Sequence, residues 1–412
     1  MPFLLFRKKH MKILHTADWH LGKKLHKHDL SKDHQLFLDW LINLIHEQSI
    51  DLLLISGDIF DLANPPIEAR TMYYWFLRQM IQLKCKIIIT GGNHDSALML
   101  DAPKEILQLL DIKVVGGATS SIENEIIVLE NLVVCAVPYL RDADLRQAIE
   151  GETGASRIEN VRLGIKKHYD ELAEICQQKY PNLPIIAMGH LYANGSISSE
   201  SEREIQIGNL ASVDGNDFSQ TFDYVALGHI HRPQIIGGNE RIRYSGSPIP
   251  LSFSEKNDQK IVLILEIAEN KIQEIQTIEV PKFRQLKRIS GTLETVKSKL
   301  IAFQNDSPLK SFLEVEVIEE SFNPLIIKEL NDLIGVFDDE NAIVLKHKIS
   351  FKNEVTSSEE LFVEGQNLED ISEKSMLQKR LEKENSLSDE HRTLMMEAFT
   401  ELLSIVEQDD EN

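Results

Sequence analysis

The chain has 412 residues, 42% of them hydrophobic, which is enough to build two or more domains with sizeable cores. Its formal net charge of −21 argues against generic nucleic-acid binding through a basic surface, although bound cations can hold a phosphate on an acidic protein. The scatter of its three cysteines, Cys85, Cys135 and Cys176, fits neither a disulfide framework nor a thiolate zinc site and favours a reducing cytoplasm. No apolar stretch approaches the ~20 residues of a membrane span, so we expect a soluble protein.

The first ten residues, Met1 to His10, are an apolar run followed by basic residues. The run is too short for a signal peptide, and its basic residues follow the apolar ones instead of preceding them. A better-formed strand begins at Met11. We therefore interpret residues 1–10 as an N-terminal extension, and the sequence leaves either Met1 or Met11 as the true start.

Strand and helix signals alternate over residues 11–280. Short apolar runs predict buried strands, and apolar residues at helical spacing predict amphipathic helices. In chain order the predicted elements are the strand Lys12–His15, the helix Asp33–Gln48, the strand Asp51–Ser56, the helix Pro65–Leu83, the strands Lys86–Thr90 and Leu132–Val137, the helix Asn160–Lys179, and the strands Ile185–Met188, Tyr224–Leu227 and Ile261–Ile267. This order predicts an α/β fold, a two-sheet sandwich flanked by helices.

The composition changes near Pro281. From Phe283 to about Ser350 the pattern predicts a strand, a helix, a strand, a helix and a strand. Five such elements are enough for a small α/β domain, which we place at residues 281–350.

Residues 351–412 are acidic and rich in serine, which indicates a polar linker before a final helix. The helix is predicted from Ser388 to Val406, with apolar residues along one narrow stripe: Met395, Phe399, Leu402 and Val406. Such a stripe needs an apolar groove, and the sequence leaves open whether the groove lies on this chain or on another protein.

Five short polar motifs each follow a predicted strand directly. They are Asp18-Trp19-His20, Gly57-Asp58, Gly92-Asn93-His94-Asp95, Gly189-His190 and Gly228-His229-Ile230-His231. Functional groups in α/β sheets gather at the carboxyl ends of strands, so we expect the motifs to converge on one crevice. Their carboxylate, imidazole and amide groups suit divalent ions such as manganese, iron or zinc. Two such ions ~3.5–4 Å apart support in-line displacement at phosphorus, so the set predicts a two-metal phosphoesterase.

Each motif alone has a plainer interpretation. An Asp-x-His pair is commonly a surface loop pair, and Gly57-Asp58 is a common strand-ending turn. The five motifs together, in this order and each after a strand, favour a metal site.

The motifs resemble those of the calcineurin-like metallophosphoesterase superfamily, and the longer segments around them resemble bacterial SbcD nuclease subunits. The segments that carry this resemblance are M-K-I-L-H-T-A-D-W-H-L-G at Met11–Gly22, S-G-D-I-F-D at Ser56–Asp61, G-G-N-H-D-S at Gly91–Ser96, A-L-G-H-I-H-R-P-Q at Ala226–Gln234 and Y-S-G-S-P-I-P at Tyr244–Pro250. The match is strong from Met11 to about Glu279. It is weaker over residues 281–350, which fit the family's DNA-capping domain in size and pattern.

The resemblance implies roles for the motif residues. It implies one divalent metal held by Asp18, His20 and His231, a second held by Asn93, His190 and His229, and Asp58 as the bridge between them. Manganese is the expected metal. His94 would bind no metal but would stand over the phosphate, stabilise developing charge and donate a proton to the leaving oxygen. Asp95 either orients His94 or caps the helix that follows, and both interpretations stay open.

Basic residues near the motifs are possible contacts to DNA phosphates. They are Lys23, Lys24 and Lys27 after the first motif, and Arg284, Lys287 and Arg288 at the start of the second domain. A solvated surface is the plainer interpretation of both clusters.

The resemblance also implies the biochemical function, which is hydrolysis of DNA phosphodiester bonds. It implies an SbcC-type ATPase partner, ATP-dependent 3′-to-5′ exonuclease action on duplex ends, endonuclease action on single strands and hairpins, and a homodimer within a heterotetramer. The final helix would then dock on the ATPase.

Two other functions remain open. A phosphomonoesterase or protein phosphatase is one, because a two-metal site alone does not distinguish ester classes. A metal-free interaction scaffold is the other, although a scaffold should have lost ligands and this chain retains all seven candidates.

Overall fold

The computed structural model describes residues 10–145, 153–205, 210–320, 323–335, 337, 340–351, 377–378, 381 and 388–410. The predicted N-terminal extension, apart from His10, lies outside these residues. So does most of the predicted acidic linker between residues 351 and 388.

The described residues form these strands: β1 (His10–Thr16), β2 (Lys24–Leu25), β3 (His28–Asp29), β4 (Leu52–Ser56), β5 (Lys86–Thr90), β6 (Ile112–Val115), β7 (Ile126–Val128), β8 (Val133–Ala136), β9 (Ile185–His190), β10 (Tyr224–Gly228), β11 (Gln234–Ile236), β12 (Asn239–Tyr244), β13 (Ile261–Ala268), β14 (Lys271–Glu279), β15 (Arg284–Gly291), β16 (Leu309–Glu319) and β17 (Ala342–Phe351). The helices are α1 (Ser31–Gln48), α2 (Ile67–Leu83), α3 (Ala97–Asp101), α4 (Lys104–Gln108), α5 (Asp142–Leu145), α6 (Gly154–Lys179), α7 (Leu293–Ile301), α8 (Pro324–Gly335) and α9 (Asp389–Asp410). Short 3-10 turns occupy Ile122–Glu125, Gly215–Asp217 and Phe253–Glu255.

Two six-stranded sheets form the larger part of the fold. The first has the strand order β14-β13-β1-β4-β5-β6, and the second has the order β11-β12-β10-β9-β8-β7. In the first sheet β1 is central, because it pairs in parallel with β4 and antiparallel with β13. In the second sheet β10 lies between β9 and β12 and is parallel to both.

The two sheets pack face to face, and helices cover their outer faces. Side chains alternate along β4, so that Leu52 and Leu54 face the layer between the sheets while Leu53 and Ile55 face α1 and α2. On the other side, α6 covers the second sheet through Ile165 and neighbouring apolar residues. This arrangement confirms the predicted two-sheet α/β sandwich flanked by helices.

The elements predicted over residues 11–280 are all present, with ends that shift by up to six residues. β1 begins at His10, which pairs with Ala268, so this residue belongs to the strand and not to the extension. The region after Pro281 follows the predicted order of strand, helix, strand, helix and strand, and its strands form a small sheet in the order β15-β16-β17.

The chain divides into two compact units. The first comprises Met1–Ile289, Ser298–Val315 and Val336–His347 and contains both large sheets. The second comprises Ser290–Lys297, Glu316–Gly335 and Lys348–Asn412. Within the described ranges, every helix is too short or too polar to cross a lipid bilayer.

Arg284, a predicted DNA contact, lies inside the first unit. Its guanidinium donates two hydrogen bonds of 2.8 Å to the Asp33 carboxylate and a third of 2.6 Å to the Lys310 carbonyl. It also stacks 3.9 Å from the centroid of the Phe312 ring. The side chains of Arg284 and Asp33 are only 9% and 6% exposed. These contacts give Arg284 a structural role in place of the phosphate contact that its charge suggested.

Arg284→Ala is expected to lower the free energy of unfolding by about 3–5 kcal/mol, because it leaves the buried Asp33 carboxylate without its cation. Denaturation in urea followed by circular dichroism measures the change. The matched control is Lys287→Ala, whose exposed side chain should change the free energy by no more than about 0.5 kcal/mol. Equal stability of Arg284→Ala and the unmodified chain would contradict this structural role.

Candidate metal centre

The five sequence motifs meet at one end of the sandwich. They follow the carboxyl ends of β1, β4 and β5 in the first sheet and of β9 and β10 in the second. Backbone hydrogen bonds join the first two loops, because the Asp18 N–H donates to the Gly57 carbonyl at 3.1 Å and the His20 N–H donates to the Asp58 carbonyl at 3.0 Å. The charged and imidazole side chains of the motifs are almost completely buried. The predicted convergence is therefore seen in the structure.

The backbone at the site adopts an uncommon conformation. The φ angles of Asp18, His20, Asp58 and His229 are 55°, 48°, 49° and 102°, in the region that residues other than glycine rarely occupy. The two glycines before Asp58 and His229 are equally constrained. A Cβ at Gly57 would lie 2.2 Å from the His190 ring, and one at the glycine before His229 would lie 1.8 Å from the Ser56 carbonyl oxygen. Such strain persists only where the surrounding structure fixes it, and it concentrates at functional sites.

One group of ligand atoms consists of Asp18, His20 and His231. One ligand atom from each residue lies within 4.8 Å of the others, and Nε2 of His20 is 3.1 Å from Nε2 of His231. The Asp18 carboxylate accepts the His229 N–H at 2.8 Å through Oδ1. Its Oδ2 is buried and has no hydrogen-bond partner among the described residues. A buried carboxylate oxygen without a donor fits a cation at this position.

A second group consists of Asn93, His190 and His229. The Asn93 Oδ1 lies 2.9 Å from His190 Nε2 and 3.2 Å from His229 Nδ1. An amide oxygen and two imidazole nitrogens that face one point are a suitable ligand set for a divalent ion.

Asp58 stands between the two groups. Its Oδ2 lies 3.4 Å from His20 Nε2 and 3.4 Å from His190 Nε2. Its Oδ1 accepts the His94 N–H at 2.9 Å. A carboxylate oxygen equidistant from one imidazole of each group has the geometry of a bridging ligand.

The electrostatics of this cluster depend on burial and on the close charges. Burial raises the pKa of Asp18 to about 7 and lowers the pKa of His20 to about 3. Burial alone would also raise the pKa of Asp58, but the His190 charge beside it holds that pKa well below its usual range. Burial opposes the charged form of His190, yet the Asp58 carboxylate raises its pKa to about 9.

The far ring nitrogens of three histidines are fixed by protein acceptors. Nδ1 of His190 lies 3.0 Å from the Ser56 carbonyl, and Nδ1 of His20 lies 3.3 Å from the Asp61 carboxylate. Nδ1 of His94 lies 2.8 Å from the Asp61 carbonyl. Each ring can therefore donate its Nδ1 proton outward and present a lone pair on Nε2 to the centre.

The position of His94 admits more than one role. Its ring is perpendicular to that of His20, with 4.6 Å between the centroids, and burial lowers its pKa. One ligand atom of His94 also lies within 4.8 Å of those of His20 and Asp58, so the distances alone would allow it to bind a metal.

Asp95 has neither of the roles considered from the sequence. Its carboxylate accepts the backbone N–H groups of Ile59 at 3.1 Å, Phe60 at 2.9 Å and Gly92 at 2.9 Å. The cap of helix α3 is Ser96, whose side chain accepts the N–H of Met99. Asp95 thus ties the loop after β4 to the loop after β5, which holds Asp58 and Asn93 in their relative positions.

Sequence reasoning missed several residues behind the ligands. Asp61 fixes two histidines, as described above, and its place three residues after Asp58 was the available signal. Ser201, Glu202, Glu255 and Lys260 surround His231, but no motif marks them. They belong to loops whose approach to the site follows only from the tertiary fold.

The predicted DNA contacts divide into internal and exposed groups. Lys23 Nζ lies 3.0 Å from the Asp61 carboxylate and is part of the centre's surroundings. Arg288 donates to Glu314 at 2.6 Å. Lys24, Lys27 and Lys287 are exposed, and the first two lie on the β2–β3 hairpin.

Comparison with known proteins agrees with this geometry. The model of the calcineurin-like phosphoesterase family matches residues 11–233. The SbcD subunit of the SbcCD nuclease from Escherichia coli (strain K12) is 34% identical over 319 residues, which cover 76% of this chain and 79% of that protein. The SbcD protein of Rhodobacter capsulatus is 36% identical over 276 residues, which cover 63% and 67%, respectively. The one in Staphylococcus epidermidis is 30% identical over 298 residues, which cover 72% and 76%.

The matched region contains both large sheets up to β10 and every candidate ligand. The chain belongs to the calcineurin-like phosphoesterase family and, within it, to the SbcD-type nucleases, which are metal-dependent phosphodiester hydrolases.

Proposed function

We propose that this chain hydrolyses DNA with two manganese ions. Asp18, His20 and His231 would hold one ion, Asn93, His190 and His229 the other, and Asp58 would bridge them. The observation that carries this assignment is the position of Asp58 Oδ2, 3.4 Å from an imidazole nitrogen of each group. The unpartnered, buried Oδ2 of Asp18 supports it. When bound, the two ions would activate a water and neutralise charge on the phosphate.

His94 would act on the substrate and not on the metals. Its Nδ1 donates to the Asp61 carbonyl at 2.8 Å, which leaves Nε2 to face the leaving 3′ oxygen and to protonate it. The backbone N–H of His94 donates to Asp58 at 2.9 Å, and this bond keeps the ring at a fixed position beside the bridge.

Exposed cations near the centre would contact the DNA backbone. Lys24 and Lys27 lie on the exposed β2–β3 hairpin, nine residues or fewer from His20 in sequence. Arg203 is exposed and near enough to His94 to influence its charge. Lys287 would contribute from the 281–350 region, which we propose as a DNA-capping domain. These local charges would allow DNA binding despite the overall charge of −21.

The names of the relatives describe one component of a two-component nuclease, and we propose the same assembly for this chain. An SbcC-type ATPase would couple ATP hydrolysis to 3′-to-5′ exonuclease action on duplex ends and to cleavage of single strands and hairpins. We place the complex in the cytoplasm. Two copies of this chain would pair through large exposed apolar residues, among them Ile67 on α2 and Leu98 on α3.

Helix α9 is the proposed docking element for the ATPase. It spans Asp389–Asp410, and Leu394 and Met395 on it are exposed apolar residues. The predicted stripe includes Leu402 and Val406, whose side chains lie outside the described residues. An amphipathic helix of this kind binds by laying its apolar face into a groove.

A phosphomonoesterase is the alternative within the same family, and substrate comparison separates the two. The manganese-loaded protein should cleave single-stranded DNA at least tenfold faster than a chromogenic phosphomonoester. Asp58→Asn should abolish cleavage and loosen both ions, because a neutral amide offsets repulsion between two dications less than a carboxylate does. Asp39→Asn, an exposed change on α1, is the matched control. Preference for the monoester would exclude the proposed nuclease function, and full activity with two bound ions in Asp58→Asn would exclude the bridge.

His94→Ala should retain both manganese ions and lose about 10²–10⁴-fold in cleavage rate, because it removes a positioned proton donor. Metal stoichiometry from elemental analysis and single-turnover cleavage rates measure the two effects separately. His46→Ala, an exposed histidine on α1, should change neither. If metal content and activity of His94→Ala fall together, His94 is a ligand and the assigned role is wrong.

A chain that ends after Phe351, the last residue of β17, should bind manganese and cleave single strands normally but fail to co-purify with the ATPase. Met395→Asp in the full chain should weaken the same interaction, because it places a charge in the apolar stripe. Glu397→Ala on the polar face is its control and should bind normally. Loss of solubility or of metal on truncation would show instead that the tail belongs to the catalytic fold.

A further inference from the structure

A chain of buried polar side chains extends behind His231, on the side away from the ligand cluster. Nδ1 of His231 lies 2.6 Å from the Ser201 hydroxyl, which lies 2.5 Å from Glu255 Oε1. Glu255 Oε2 in turn accepts from Lys260 Nζ at 2.6 Å. The relative exposure of His231 is 1%, that of Glu255 is 0% and that of Lys260 is 4%. The sequence between Ser199 and Lys260 carries no motif that announces this arrangement.

The number of protons decides the direction of each hydrogen bond. Glu255 forms a buried ion pair with Lys260, so its carboxylate can only accept. Ser201 has a single hydroxyl proton, and its shortest contact is the one to Glu255. Once that proton is donated to Glu255, the Ser201 oxygen can only accept from the His231 ring. The ring must then carry its proton on Nδ1.

The other histidines of the centre do not need such a chain. His190 and His20 face a carbonyl and a carboxylate, and these groups accept hydrogen bonds under all conditions at neutral pH. A serine hydroxyl alone is ambiguous, because it can donate to a bare ring nitrogen as easily as it accepts from a protonated one. Glu255 removes this ambiguity at Ser201.

We propose that Ser201, Glu255 and Lys260 are positioning residues that fix the Nδ1–H tautomer of His231. The Nε2 lone pair then faces His20 and Asp18, as a metal ligand requires. The inference rests on the proposed ligand role of His231. It adds that the affinity of the ion between Asp18, His20 and His231 depends on a hydroxyl group that touches neither the metal nor the substrate.

Backbone contacts separate this role from simple packing. The His231 N–H donates to Glu202 Oε1 at 2.8 Å, and the His231 carbonyl accepts from Lys260 Nζ at 3.0 Å. The main chain is therefore held without Ser201, and loss of the Ser201 hydroxyl should alter the ring and not the loop. Ser247 provides a matched control, because its hydroxyl contacts Lys260 at 2.9 Å and Glu255 at 3.3 Å but does not contact the His231 ring.

The direct test is nitrogen NMR of the histidine rings in the metal-free, full-length protein at alkaline pH, where the ring of His231 is neutral. Comparison with His231→Asn identifies its signals among those of the fourteen histidines. The unmodified chain should show the Nδ1–H form alone, Ser201→Ala should show a mixture, and Ser247→Ala should match the unmodified chain. An Nε2–H ring in the unmodified chain would overturn the proposal.

Manganese titration supplies a second readout. Ser201→Ala should weaken one of two binding events by about 10–100-fold, as loss of a partner behind a ligand does, while Ser201→Thr restores it. Thermal unfolding of the metal-free variants should stay unchanged. A fall in metal-free stability with both ions equally weakened would make Ser201 a merely structural residue. If Ser201→Ala does not fold, Ser201→Cys must show the same selective weakening, and two equal affinities would again overturn the proposal.

These outcomes are separable from failure of the proposed function. If the unmodified chain binds two manganese ions but cleaves no DNA, the nuclease function fails while the tautomer assignment stands. If it cleaves DNA but its metal affinity ignores Ser201, the positioning role fails alone.

Discussion

The burial of two carboxylates among imidazoles is the constraint on which the rest of the site depends. Asp18 and Asp58 are 0% and 1% exposed, and a buried charge is costly unless a counter-charge or a donor meets it. The protein supplies donors to one oxygen of each carboxylate from the backbone of His229 and His94. The remaining oxygens face the ligand cluster, where cations would meet them. The strained φ angles, the fixed ring nitrogens and the tie through Asp95 all maintain this geometry.

Much of this arrangement could be predicted from the sequence because it follows from strand positions. Runs such as Leu52–Ser56 are apolar on both faces and identify buried strands directly, and the polar residue that follows each run falls at the same edge of a sheet. The strand Lys271–Glu279 was not predicted. It lies at the edge of its sheet with many polar, exposed side chains, so no apolar run marks it.

Residues that act through long-range contacts could not be predicted in this way. The role of Asp95 depends on three N–H groups from two loops, and the role of Arg284 depends on Asp33, 251 residues away. Both residues have charges that suggested a functional contact, yet their partners are internal. The support of His231 by Glu255 is similar, because neither residue lies in a recognisable pattern with the other. Local sequence specifies the ligands, whereas the tertiary fold specifies what holds them.

The central position of β1 has a consequence for synthesis of the protein. β1 is made first, but its antiparallel neighbour β13 ends only at Ala268, and the last candidate ligand is His231. A growing chain therefore exposes one unpaired edge of β1, with an incomplete centre beside it, until more than half of the protein has left the ribosome. Hydrolytic activity is consequently withheld from the nascent chain and arises in a single late step, when β10 and β13 take their places.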